Sequence, residues 1–195
     1  MKRSVETQDS IIRAAVRCLS SNGVGAFTVG TVARRAGVSS ALVHYHFATK
    51  QRLLAAAAER LLERRTAERL GALGGGAGLG ALDRLWQATQ DSAADGAERA
   101  TLDLVALAGE NADVGRLVAH GRQRERTALR ERLPALFAEL GAMPVAVDET
   151  AEVVATFLDG IGLSLAAGAD AAVVRSAFDA FWLALIAAGQ SGRRP

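Results

Sequence analysis

The stretch TVGTVARRAGVSSALVHYHFATK, residues 28–50, constrains the fold more than any other part of the chain. Thr28 is a good N-cap for a helix over residues 29–36, Gly37 ends that helix, and Ser39 caps another from Ser40 to about His46. Two helices can cross within three residues only where one residue takes a positive φ, and Gly37 does so without a Cβ clash. Val32, Ala33 and Ala36 then form the inner face of the first helix, with Ala33 small at the closest approach. Val38 plugs the turn. Val43 and Phe47, four apart, complete the inward face of the second helix. This is the layout of a helix-turn-helix, whose second helix enters a major groove of DNA.

The outer face of the second helix is left with Ser40, Ala41, His44 and Tyr45. It is nearly uncharged but rich in donors and flat rings. Small residues at the helix start let the backbone enter a major groove, which is wide enough for a helix. Tyr45 and His44 can donate to phosphates or touch base edges. Lys50 and the amides beside it suit a phosphate through charge and helix dipole, and Thr28 offers a similar hydroxyl-plus-amide site. Ser39 and His46 complete the candidate DNA-binding set. A mere packing unit would leave exposed Tyr and His beside Lys without a task.

No strand pattern competes elsewhere. Ile11, Ile12, Ala15, Val16 and Leu19 place a helix over 7–21, which Asn22-Gly23 ends. Thr49 caps a long helix from Lys50 to about Leu70. Residues 71–82 hold six glycines, too many for a regular helix, and read as a linker or mobile loop. Helices follow over 79–94, 97–109, 112–140, 148–167 and 170–189. Asp148 and Asp170 are expected N-caps, Gly141, Gly168 and Gly189 expected stops, and Pro134 should kink or restart its helix. The tail SGRRP should fray. The fold class is therefore all-α, with about nine helices.

From Ile11 to Leu54 the chain resembles the N-terminal DNA-binding domain of the TetR (tetracycline-repressor) family of regulators. The matching elements are IIRAAVRCLSSNG, then FTVGTVARRAGVSSALVHYHFATKQRLL. The T-x-x-x-V-A-x-x-A-G-V-S core, the Y-H-F and the Lys three residues later fall where the family has them. The resemblance implies three N-terminal DNA-binding helices, then a larger helical domain that binds a small effector and forms a homodimer. It divides the chain into a DNA-binding domain, 1–50, and an effector-binding and dimerisation domain, 51–195. Two departures stand out. Val43-His44 replaces a common Leu-Tyr pair, giving shorter reach and a titratable ring. Leu42 stands where a polar residue is common, and Ala41 where Gly or another small residue is.

Within 51–195 the last two helices are the candidates for the dimer interface. Gly160, Gly162 and Ser164 allow close helix approach. Phe157, Ile161, Leu165, Val174, Phe178, Phe181, Trp182 and Leu185 supply area for a four-helix interface across a two-fold axis. The competing assignment puts the same residues in an intramolecular core. For the effector, Trp86, Gln90, His120 and Phe157 offer an aromatic wall with a few polar groups, against core roles for Trp86 and Phe157 and surface roles for Gln90 and His120. Arg122, Arg124, Arg126, Arg130 and Arg132, interrupted by Glu125 and Glu131, read as a solvated, ion-paired helix face. An anionic effector is the sharper alternative.

Charge distribution supports a polyanionic partner. The net charge is only +2, yet residues 1–50 hold seven basic against two acidic residues, and residues 71–195 eleven against sixteen. One cysteine, Cys18, rules out an internal disulfide and reads as a small core residue. The opening MKRSVETQDS lacks an apolar signal core, and the apolar run 153–169 is broken by Asp159, so cytoplasmic residence with no membrane partner is expected. His44 and His46 lie about 200° apart around a helix and cannot chelate one metal. No phosphate-binding loop, dinucleotide fingerprint, nucleophile elbow or zinc spacing occurs. The chain is not expected to be an enzyme or to need a cofactor. The function these features imply is a ligand-responsive regulator, most simply a repressor that binds a palindromic operator as a homodimer. A DNA-binding factor without a small effector, architectural or partner-controlled, is the alternative.

Overall fold

The computed structural model describes residues 2–75 and 78–191. Among them are nine helices and no strand: α1 Lys2–Asn22, α2 Val29–Ala36, α3 Ser40–Phe47, α4 Lys50–Leu73, α5 Leu79–Ala94, α6 Ala97–Ala108, α7 Ala112–Glu139, α8 Val147–Ala166 and α9 Ala171–Ser191. The chain forms two compact units. The first comprises residues 1–64 and 95–121, the second 65–94 and 122–195, so α4 and α7 each contribute residues to both.

In the first unit the apolar positions of α1 meet α2, α3, α4 and α6 in one core. Ile11, Leu19, Phe27, Val32, Val43, Leu53, Leu61 and Leu104 are buried there, and Cys18 packs among them as a free thiol. Two glycines are obligatory. Gly23 ends α1 at φ 74°, and a Cβ on it would lie 2.6 Å from Asp103 Oδ2, which accepts the Val24 N–H at 3.1 Å. Gly96, at φ 81°, lets α6 approach α1 so closely that a Cβ would lie 2.1 Å from the Ser20 carbonyl oxygen.

The second unit packs α5, α8 and α9 with the later turns of α4 and α7. Leu82, Leu85, Leu133, Phe137, Val154, Leu158, Phe178 and Trp182 form its core. Inside it lies an ion-pair network that the sequence pattern did not announce. Arg65 and Arg69 of α4 are 4% and 2% exposed, and Glu125 of α7 is 3% exposed. Arg65 Nη2 bonds Asp159 at 2.7 Å and Glu125 at 3.2 Å. Arg69 Nη1 bonds Glu125 at 2.9 Å and Asp159 at 3.2 Å. Arg122 reaches the outer oxygen of Asp159 at 3.0 Å. Burial alone would raise the Asp159 pKa, but Arg65, Arg69 and Arg122 together outweigh it and hold the carboxyl below its ordinary range. The supposedly solvated Glu125 is thus a buried hub. Of the other basic residues of that run, Arg126 pairs with Glu152 at 2.6 Å, Arg130 with Asp148 at 3.2 Å, and Arg132 donates to the Leu70 carbonyl at 3.5 Å.

Several helix limits depart from the expectations. α1 begins five residues earlier than residue 7, and α4 runs through Gly71 to Leu73, so helix replaces the first residues of the expected linker. Leu73 is buried, and that packing outweighs the low propensity of Gly71. α7 continues through Pro134 without restarting. Asp148 is not the cap of α8. Ala146 holds that position with no side-chain hydrogen bond, and Asp148 sits in the first turn, where its charge still favours the helix dipole. Asp170 does cap α9, its Oδ1 accepting the Ala172 N–H at 2.8 Å. Gly141 and Gly168 end their helices at φ 70° and 84°. Gly189 does not end α9. It is buried inside the helix, where a Cβ would stand 2.4 Å from the Met143 carbonyl oxygen, so its role is close approach. Of the tail, residues 192–195 lie outside the described residues.

Candidate nucleic-acid interface

The helix-turn-helix is held by its own backbone chemistry. Thr28 Oγ1 accepts the Thr31 N–H at 3.1 Å, and Thr31 Oγ1 accepts the Thr28 N–H at 3.1 Å, a reciprocal capping box. At the other end of α2, Gly37 takes φ 69°, ψ 32°. Its N–H donates to the Arg34 carbonyl at 3.3 Å, and the Val38 N–H donates to the Ala33 carbonyl at 3.0 Å. These two bonds make a Schellman stop. Ser39 Oγ then accepts the Leu42 N–H at 3.2 Å and starts α3.

The division into two faces follows. Val32, Ala33, Val43 and Phe47 are buried and Val38 is half-buried, whereas Ser40, Ala41, His44 and Tyr45 are exposed. Tyr45 is 79% exposed, and its ring meets His46 edge-on with centroids 5.3 Å apart. His46 itself is half-buried between Tyr45 and Phe47. Thr28, Ser39 and Lys50 are exposed at the starts of α2, α3 and α4. The Thr28 and Ser39 oxygens already serve their own helix caps. What they can still present outward is the remaining lone pairs and the free first-turn amides.

One element here carried no sequence signal. Between α3 and α4 the chain turns on Ala48, at φ 54° and ψ −47°, the one non-glycine residue with positive φ among those described. The Thr49 N–H donates back to the Phe47 carbonyl across it, the hydrogen-bond pattern of a γ-turn. His44 Nδ1 lies 3.4 Å from the Ala48 carbonyl oxygen. Thr49 Oγ1 then accepts the Arg52 N–H at 3.2 Å and opens α4 with Lys50 at its first position. Alanine gives no hint of positive φ, so only the structure reveals this turn. It sets where Lys50 stands relative to Tyr45.

Residues 11–57 match the bacterial regulatory proteins of the tetR family. These residues thus form a DNA-binding domain of the tetR family. Over 53 residues it is also 42% identical to the HTH-type transcriptional regulator BetI of Rhizobium meliloti (strain 1021), a match spanning 27% of this chain and 26% of that protein. Among solved structures, a TetR transcription regulator from Haloarcula marismortui superposes with a TM-score of 0.73 at 20% identity, covering 94% of this chain and 98% of that one. A transcriptional regulator from Rhodococcus sp. Rha1 gives 0.74 at 21% identity, covering 94% and 97%. A protein from Saccharomonospora viridis, solved in complex with choline, gives 0.71 at 19%, covering 91% and 95%. The tetR-family match lies in the N-terminal domain, and over 91–94% of its length the chain shares the all-helical fold of these proteins.

Beyond the tetR-family domain, the residues singled out for other roles lie as follows. In the second unit Trp86 is buried with its ring centroid 5.5 Å from that of Phe178, Gln90 is half-buried, and Phe157 stacks on Phe181 at 3.7 Å. His120 is an exposed residue of the first unit. Of the residues assigned to a dimer face, Ile161, Val174, Phe178 and Trp182 are buried within the second unit, while Phe157, Leu165, Phe181 and Leu185 are half-buried. The Trp182 indole N–H, though buried, has no hydrogen-bond partner among the described residues. Exposed apolar side chains lie elsewhere on the same helices: Val153 and Leu163 on α8, Val173 and Leu183 on α9.

Proposed function

We propose that this tetR-family regulator is a ligand-responsive repressor that binds a palindromic operator as a homodimer and is released by a small-molecule effector. The observation that carries the DNA-binding part is the exposed, capped outer face of α3. Ser40, Ala41, His44 and Tyr45 meet the major groove, with His46 steadying Tyr45. Thr28, Ser39 and Lys50 hold the flanking phosphates through hydroxyl, first-turn amides and charge. Functionally, residues 1–50 read DNA, and residues 51–195 bind the effector and the second copy.

The homodimer is supported by α9. It is long and strongly apolar, yet few of its residues are buried. A helix of that character needs a cover, and two recognition helices must be joined to read successive half-sites about 34–36 Å apart. A second copy supplies both. We place the chain in the cytoplasm, where its DNA partner is. The effector is proposed to contact Trp86, Gln90 and Phe157, with His120 as a further candidate on the first unit. The choline found in the Saccharomonospora viridis protein supports a small organic ligand for this fold. Release would follow from a higher effector affinity for the conformation that does not fit DNA.

Selection of bound sequences from random duplex DNA tests the reading. An inverted repeat with half-sites one helical turn apart is expected, with binding that weakens steeply with salt at a slope of about −0.9 per neutralised phosphate. Enrichment of no sequence, or binding indifferent to salt, would overturn it.

A further inference from the structure

The first unit contains an open cleft of about 410 Å³, lined chiefly by Arg17, Ser20, Ser21, Arg35, Arg64 and Asp95. Small-molecule sites commonly measure about 300–1,000 Å³. Arg17, Ser20 and Ser21 are spaced i, i+3, i+4, so they share one face of the last turns of α1. Arg35 comes from the end of α2, Arg64 from α4, and Asp95 from the turn before α6. Three guanidiniums face one carboxylate. That carboxylate is engaged with Arg64 at 2.7 Å.

The side chains are positioned in advance. Arg35 Nη1 donates to the Arg17 carbonyl at 2.6 Å and to Ser21 Oγ at 3.1 Å. Among the described residues both bonds run through Nη1, which leaves Nε and Nη2 for another acceptor. The carbonyls that end α1 would otherwise repel an anion, but Arg99 Nη2 donates to those of Ser20 and Ser21 at 2.7 and 3.0 Å. Ser20 forms part of the cleft wall, with its Oγ buried beneath the surface.

We infer that this cleft binds a small, multiply charged oxyanion of the phosphate or pyrophosphate class, held by Arg17, Arg35 and Arg64 with the Ser21 hydroxyl. Planar guanidiniums suit such groups because they offer paired N–H donors. The site is separate from the Thr28 phosphate anchor. Arg35 lies seven residues from the Thr28 cap, about 10 Å along α2 at 1.5 Å per residue, so one phosphate cannot serve both. Binding bridges α1, α2 and α4 and stiffens the first unit.

The test is thermal melting of the full chain with inorganic pyrophosphate, against sodium chloride of matched ionic strength. Pyrophosphate should raise Tm saturably and chloride should not. Arg17→Gln, an exposed side chain, should leave the ligand-free Tm unchanged and weaken pyrophosphate binding by about tenfold, the worth of one charge-assisted bond. Lys50→Ala should bind pyrophosphate as the parent does, and Arg17→Gln should bind duplex DNA with an unchanged salt slope. No saturable rise overturns the inference, as does an effect equal in Arg17→Gln and parent. Loss in Lys50→Ala alone would move the anion to the recognition face. A salt slope smaller by about one in Arg17→Gln would make the cleft a contact for the DNA backbone.

Discussion

Tyr45 and Phe47 stand two residues apart on one helix and have opposite physical roles. Tyr45 is 79% exposed and Phe47 is 6% exposed. Tyr45→Ala should therefore weaken operator binding while shifting stability by no more than about 0.5 kcal/mol, as surface substitutions do. Phe47→Ala should destabilise the fold by about 3–5 kcal/mol, the usual cost of an aromatic-to-alanine cavity. Lys50→Ala should lower affinity for all duplexes alike and reduce the salt slope by about one, the mark of a lost phosphate contact. Denaturant titration and salt-dependent binding separate the three, and a Tyr45→Ala protein that unfolds would refute the exposed role. The Gly37 turn and the Val43–Phe47 face were legible because glycine and four-residue apolar spacing each have one economical reading. Ala48 was not legible. Its positive φ is enforced by the elements on either side, and its side chain says nothing about it.

At the scale of helices, boundaries were read well where the expected cap bond forms, and misread at Asp148, which sits inside the first turn of α8. Thr28, Ser39, Thr49 and Asp170 all accept N–H groups from the first turns of their helices. Errors arose where tertiary packing outweighed a local signal, as at Gly71 inside α4 and Gly189 inside α9. The larger omission was the buried charge network, because burial of an Arg or Glu is a property of the partner helices, and periodicity within one helix cannot carry it. Arg65 and Arg69 are paired to Glu125 and Asp159 across α4, α7 and α8. Glu125→Ala leaves the buried guanidiniums of Arg65 and Arg69 short of a counter-charge and should destabilise by about 3–5 kcal/mol, whereas replacing Arg65, Arg69, Glu125 and Asp159 together by apolar residues of similar volume should be far milder. Chemical denaturation of both variants decides it. Equal losses would mean that packing, not uncompensated charge, sets the cost. The network also makes stability depend on acid. The Asp159 carboxyl is held below its ordinary value of 3.8. Its contribution is therefore full above the unfolded pKa and is lost as pH falls from about 4 through the depressed folded value. Asp159→Asn should flatten that part of the stability profile, and an unchanged acid limb would show that other carboxylates govern it.

For the whole molecule, what remains open in one chain is the outer surface of α8 and α9. Ile161, Val174, Phe178 and Trp182 turn inward and stabilise the protomer, which leaves Val153, Leu163, Val173 and Leu183 facing outward. An apolar spacing pattern gives the buried and the exposed apolar faces of such helices the same appearance, so the sequence could nominate the helices for an interface but not sort their residues. Leu183 is 65% exposed and Val173 68%. Neither supports its own fold, so Leu183→Glu should change protomer stability by no more than about 0.5 kcal/mol. In a dimer packed on this surface, the same change places two glutamates near the two-fold axis, each desolvated without a partner. Sedimentation equilibrium should then give the mass of a single 20.3 kDa chain where the parent gives twice that. Binding to a full inverted repeat should fall towards that for one half-site, because the two recognition helices are no longer linked. Binding to an isolated half-site should be unaffected, since α3 and its caps are untouched. If Leu183→Glu keeps the parental mass and full-site affinity, the dimer lies on another surface and the hydropathy of α9 has a different cause.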